Sequence, residues 1–151
     1  MKIRVATVGE SMMLSQLAFE SKRFWGYDDE FMERCRSELV VREEDIADQM
    51  VWVAEGQSSG EALGFYLLRK LSKDDAKLDM LFVAPEHIRQ GVGKALMEDA
   101  AREARLLGSS RLRIESDPFA APFYESQGAT LVGTAKSTST GRGLPLFELR
   151  M

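Results

Sequence analysis

LDMLFVAPEHIRQGVGKALMEDAAREARLL, residues 78–107, reads as a strand, a glycine-bearing turn and an amphipathic helix. That order builds a cradle for a phosphate. Gly91 and Gly93 carry no side chain, so a ligand can come close to the backbone of the turn Arg89-Gln90-Gly91-Val92-Gly93-Lys94. The first N–H groups of a helix have no partner inside it, and the helix end carries roughly half a positive charge. A diphosphate suits such an end, and Arg89 and Lys94 add charge on either side of it.

Two better-known cradles fail against these residues. A Walker loop needs a glycine five residues before the Gly-Lys pair and a hydroxyl residue after it; Ile88 and Ala95 stand there. The dinucleotide fingerprint needs a third glycine where Leu96 sits. A lone Gly-x-Gly also fits an ordinary turn, so a second signal is needed. It comes from residues 111–129, RLRIESDPFAAPFYESQGA. The first six make a strand with Leu112 and Ile114 on one face. Asp117 and Pro118 suit a helix cap and first position, Phe123 and Tyr124 ride a short helix, and Gly128 stops it.

Taken together, the two segments resemble the GNAT superfamily of acyl-CoA-dependent N-acyltransferases. That family has [Gln/Arg]-x-x-Gly-x-[Gly/Ala] after its fourth strand, matched by IRQGVG at Gly91 and Gly93. It has a later Asn-x-x-[Ala/Pro]-x-x-[Phe/Leu]-Tyr-x-x-x-Gly-[Phe/Ala], matched by DPFAAPFYESQGA from Ala121 to Ala129. Two departures stand out: Ile88 replaces the usual Gln or Arg, with Arg89 next to it. Phe119 is taken as the counterpart of the asparagine that bonds the pantetheine arm, on which a ring can pack but not hydrogen-bond.

The wider chain fits that setting. Strands are expected at 2–8, 51–55, 62–71, 77–83, 111–116, 129–136 and 146–150, and helices at 12–24, 28–39, 92–107 and 118–127. Val92, Leu96, Ala100 and Leu107 form the apolar stripe of the third helix, and a polar loop spans 136–143. The expectation is an α+β fold: a mixed, mostly antiparallel sheet of about seven strands with about four helices, in one domain over 1–151. The 44% apolar and 29% charged composition is that of a globular protein. No apolar run approaches the ~18 residues a membrane span requires, and a net charge of −4 offers no footprint for nucleic acid. Cys35 is the only cysteine, so no internal disulfide can form, and a cytoplasmic location is the default.

What the resemblance implies is an N-acetyltransferase that binds acetyl-CoA as co-substrate and passes the acetyl group to a primary amine by direct attack. The amine belongs to a small molecule or a protein. In the family the fourth and fifth strands splay apart and the pantetheine arm lies between them like an added strand, here along Leu81, Phe82 and Val83. A backbone N–H in that stretch would face the developing oxyanion. Tyr124 matches the family's general acid; its alternative is packing beside Phe123. Asp79 is the candidate base, with a solvated charge paired to Lys77 as the competing reading. It is expected on one face with Lys77, Leu81 and Val83; Glu115 on the neighbouring strand is a second candidate base, ranked below it because alternation would turn it to the opposite face. Phe24, Trp25 and Tyr27 either pack over the amine by cation–π attraction or plug the gap between helices. His87, without cysteines nearby, reads as an exposed loop residue, and no metal is expected. Cys35 reads as core and Arg42-Glu43-Glu44-Asp45 as solvated surface. Dimerisation, common in the family, leaves a homodimer open. The rival reading is a CoA-binding module whose acceptor site has degenerated.

Overall fold

The computed structural model describes residues 1–151. Strands β1 (Lys2–Val5), β2 (Val51–Glu55), β3 (Ala62–Lys70), β4 (Asp75–Val83), β5 (Arg111–Glu115), β6 (Thr130–Lys136) and β7 (Gly143–Arg150) form one sheet. Its order is β1-β2-β3-β4-β5-β7-β6, antiparallel except where β4 and β5 run parallel. The α+β architecture expected from the sequence is the one observed.

Alternating side chains send two apolar sets to opposite faces of the sheet. Helices α1 (Ser11–Arg23), α2 (Asp29–Cys35) and α3 (Glu43–Ala47) cover Val51, Val53, Phe65, Leu67 and Met80. Helices α4 (Val92–Leu106) and α5 (Ala121–Ser126) cover Trp52, Tyr66, Leu68, Ala76 and Leu78 on the other. α4 buries Val92, Leu96, Met97, Ala100 and Ala104. Each large side chain there is worth about 1.5–3 kcal/mol on burial. Gly64 of β3 lets α4 come this close. A Cβ there would stand 2.7 Å from the Phe82 carbonyl oxygen and 3.0 Å from Leu96. On the same face Tyr66 donates to Asp99 of α4 at 2.6 Å.

Two irregularities make the functional geometry. β4 and β5 pair only over Asp75–Lys77 and Arg111–Arg113; past that point they diverge and leave a gap between their C-terminal halves. Opposite the gap, Leu67 pairs with Met80 and Leu68 with Leu78, so Asp79 is the extra residue of a β-bulge. The bulge reverses the alternation. Ala76 and Leu78 join the α4/α5 core, Met80 joins the α1/α2 core, and Leu81 and Val83 return to the α4 side.

Several boundaries differ from the sequence expectation. The second helix stops at Cys35 and continues as a 3-10 turn, Arg36–Leu39. Residues 43–47 form α3; Arg42, Glu43 and Glu44 are exposed as expected, but Asp45 is 8% exposed with both carboxylate oxygens bonded to Arg69. That gives five helices. β1 ends at Val5, β4 starts at Asp75, and β7 starts at Gly143. Leu107 is the cap of α4 and is exposed, because the turn that ends the helix carries it off the buried stripe. No helix is long and apolar enough to cross a membrane.

Candidate active site

A cleft of about 930 Å³ occupies the gap between β4 and β5 and runs to the start of α4. Leu81, Phe82 and Val83 border it on β4; Arg89, Gly91, Gly93 and Lys94 border it at the turn. Gly91 is left-handed at φ +83°, and a Cβ there would meet nothing within 4 Å. Arg89 is left-handed too, at φ +66°. For a residue with a side chain this costs of order 1–3 kcal/mol, and such strain gathers at ligand clamps. No backbone N–H from Arg89 to Lys94 donates a hydrogen bond within the chain. A row of free donors, an open glycine and two cations fit the diphosphate of coenzyme A.

Not every residue of the turn faces the cleft. Gly93 lies against Phe123, 3.4 Å from where its Cβ would be, so its smallness serves helix packing as well as access. Val92 is buried in the core, and the Gln90 side chain is turned to His87. His87 is not a free loop residue: Nε2 is 2.9 Å from Glu61 and Nδ1 is 3.1 Å from Gln90, which brace the turn against the start of β3.

Tyr124, at 7% exposure, borders the cleft from α5, and its hydroxyl makes no hydrogen bond within the chain. Burial, with the nearby Asp117 charge adding to it, pushes its phenol above the ordinary value of about 10. The proton is therefore held through the neutral range. Asp79 also borders the cleft, but it is engaged: Arg69 Nε donates to it at 2.9 Å and Lys77 Nζ is 3.5 Å away. The bulge places it apart from Leu81 and Val83, whose side chains pack to the α4 side. Glu115 is on the face of Lys77, 3.6 Å from its ammonium, and not the opposite one. Leu112 and Ile114 take the α4/α5 face, which leaves Arg113 and Glu115 to the other. Of the two carboxylates Glu115 is the less encumbered.

The aromatic stretch after α1 divides. Trp25 borders the cleft and stacks on Phe119, centroids 5.5 Å apart at 11°. Phe24 is exposed and outside the lining. Tyr27 stacks on Phe31 and gives its hydroxyl to Asp117 at 2.9 Å. Burial pushes the Tyr27 phenol up to about 12. Phe119 is also outside the lining, and its assignment to the family's asparagine is displaced by two residues. Counted back from Tyr124, that place in the motif is Asp117.

Asp117 is a hub that local sequence did not disclose beyond its capping role. It accepts from Phe119 N at 2.9 Å, Lys22 Nζ at 3.1 Å, Tyr27 and Arg142 Nη2 at 3.2 Å. Burial alone would raise its carboxyl. The Phe119 N–H and the Lys22 and Tyr27 partners outweigh that and hold it below the usual carboxylate range. The hub joins α1, the α1–α2 loop, the turn before α5 and the β6–β7 loop. Lys22, Asp117 and Arg142 all border the cleft.

The description "Acetyltransferase (GNAT) domain" matches residues 14–148 of this chain. An uncharacterised N-acetyltransferase of Escherichia coli, YafP, is 30% identical over 107 residues. The match covers 71% of this chain and 63% of that protein, so the chain spans less than two thirds of its relative's length. Among solved structures, PaiA N-acetyltransferase from Thermoplasma acidophilum in complex with coenzyme A superposes with a TM-score of 0.80. It is 19% identical, over 99% of this chain and 98% of that one. A GNAT family acetyltransferase from Elizabethkingia anophelis with acetyl-CoA bound gives 0.67 at 17% identity, over 99% and 97%. At these identities the likeness is one of fold.

Proposed function

The chain belongs to the GNAT acetyltransferase family, and on that premise we propose that it is an N-acetyltransferase moving acetyl from acetyl-CoA to a primary amine by direct attack. The observation that carries this is the parting of β4 and β5 beside an open, left-handed Gly91 and a run of unpartnered N–H groups.

Gly91 to Lys94 would hold the diphosphate through the backbone, with Arg89 and Lys94 supplying charge. The edge of β4 that faces β5, unpaired at Leu81–Val83, would take the pantetheine amides, since buried strand groups need partners. Bound there, acetyl-CoA supplies an activated thioester. Tyr124, kept protonated by burial, would give a proton to the leaving sulfur. Glu115 and Asp79 both border the cleft where an ammonium proton has to be removed. Asp79 is committed to Arg69 and Lys77, which favours Glu115 as proton acceptor and Asp79 as a fixed charge that orients Lys77.

Amine-dependent thiol release from acetyl-CoA tests the reading directly. Tight coenzyme A binding with no turnover across a broad amine panel would favour the degenerate module instead. In an active preparation Glu115→Gln should lower kcat by about 10²-fold and steepen its dependence on pH. If Asp79→Asn is the more damaging of the two, their roles are reversed.

A further inference from the structure

Lys22 and Arg142 place two positive charges against one, Asp117, in the wall of the cleft. Tyr27 is neutral, and no other acid is within ion-pair reach of either cation. The side chains are largely covered: 13% of Lys22, 14% of Asp117 and 26% of Arg142 is exposed. A charge so far from water without a counter-ion is costly.

The donors tell the same story. One ammonium hydrogen of Lys22 is engaged with Asp117, and Arg142 uses Nη1 on Tyr27 and Nη2 on Asp117. Their other hydrogens have no acceptor in the chain, and Arg142 Nε is buried with none at all. The guanidinium lies against the stacked Tyr27–Phe31 pair, 5.0 Å from the centroid of Tyr27 and 4.8 Å from that of Phe31. It cannot swing out to find a partner without losing both contacts.

Neighbouring charge does not supply the missing anion. Eight basic and four acidic side chains border the cleft, although acids outnumber bases in the whole chain. Arg89 and Lys94 belong to the diphosphate end. Lys22 and Arg142 come from other elements, α1 and the β6–β7 loop.

Resting on the acetyltransferase reading, we propose that the amine acceptor carries a carboxylate, and that Lys22 and Arg142 bind it. Glu115 and Asp117 are two residues apart in extended chain, about 7 Å. That span lets an amino acid set its ammonium toward Glu115 and its carboxylate toward the two cations. An acceptor of this kind would bring the missing counter-ion with it.

The experiment compares free amino acids with their carboxamides as acceptors, at saturating acetyl-CoA, by thiol release. The best acceptor should be a free acid whose kcat/KM exceeds that of its amide by at least about tenfold. Lys22→Met, and separately Arg142→Gln, should bring acid and amide within about threefold, mostly by raising KM for the acid. Coenzyme A affinity by calorimetry should stay within about twofold in both variants, which also reports that they fold. Amides that match their acids in the native enzyme would overturn the proposal while leaving the acetyltransferase reading intact. So would an acid preference that survives both variants. Should no acceptor turn over, calorimetric titration of the same pairs into the coenzyme A complex decides it: acids that bind no tighter than amides overturn it.

Discussion

Replacing Tyr124 by Phe removes one oxygen from a site where nothing in the chain depends on it. The hydroxyl has no hydrogen-bond partner, so its loss strands no donor or acceptor. The ring keeps its edge contact with Phe123, centroids 5.1 Å apart, and its packing on Phe147 at 6.1 Å. Deleting an unpartnered hydroxyl on a residue that borders the cleft should change stability by less than about 1 kcal/mol, on the order of 3 °C in Tm. If the hydroxyl donates the proton to the departing sulfur, turnover should fall by about 10²- to 10⁴-fold, or ~3–5 kcal/mol of barrier. Stability and catalysis are thus expected to part company by several kcal/mol in a single variant. Thiol release gives kcat, calorimetry gives coenzyme A affinity, and scanning calorimetry gives Tm. Affinity and Tm should barely move. A variant with native kcat would remove Tyr124 from the chemistry, and one whose Tm fell in step with kcat would make it a packing residue. The pH sign is set as well. A phenol raised above its unfolded value stays protonated in the folded protein while the unfolded chain begins to ionise near pH 10. Its contribution to stability is therefore complete below about pH 10 and declines as pH rises further.

Gly91→Val should weaken coenzyme A binding by at least about tenfold in calorimetry, because a branched residue at φ +83° is strained and its methyls enter the space over the free N–H groups. Unchanged affinity would move the diphosphate elsewhere. Far from the cleft, Glu10 is held at about 2 by its Arg4 pairing, which outweighs burial. A depressed carboxyl contributes stability above its unfolded value of about 4.5 that is lost as pH falls toward 2. Glu10→Gln should cost about 1 kcal/mol at pH 7 after solvent screening and nothing at pH 2, measured by urea denaturation at both.

Local rules made the architecture legible. Period-two and period-3.6 apolar patterns marked seven strands and most of the helices. Asp28 caps α2 through Phe31 N, and Gly128 ends α5 at φ +91°. Gly91 was readable as a turn because only glycine sits easily in that backbone region. The α3 segment hid in an acidic run, since the Arg69 that buries Asp45 is 24 residues away.

Sequence alone determined the order of the strands, the fold class and the family, because these depend on patterns within segments and on the spacing of two motifs. Tertiary structure alone decided which side chains meet in the cleft. The bulge at Asp79 follows from the register of two strands, and one unpaired residue is enough to move Leu81 and Val83 to the opposite face. Lys22, Asp117 and Arg142 carry no mutual signal along the chain. Their three elements are brought together by the sheet, and only there does their charge fail to cancel.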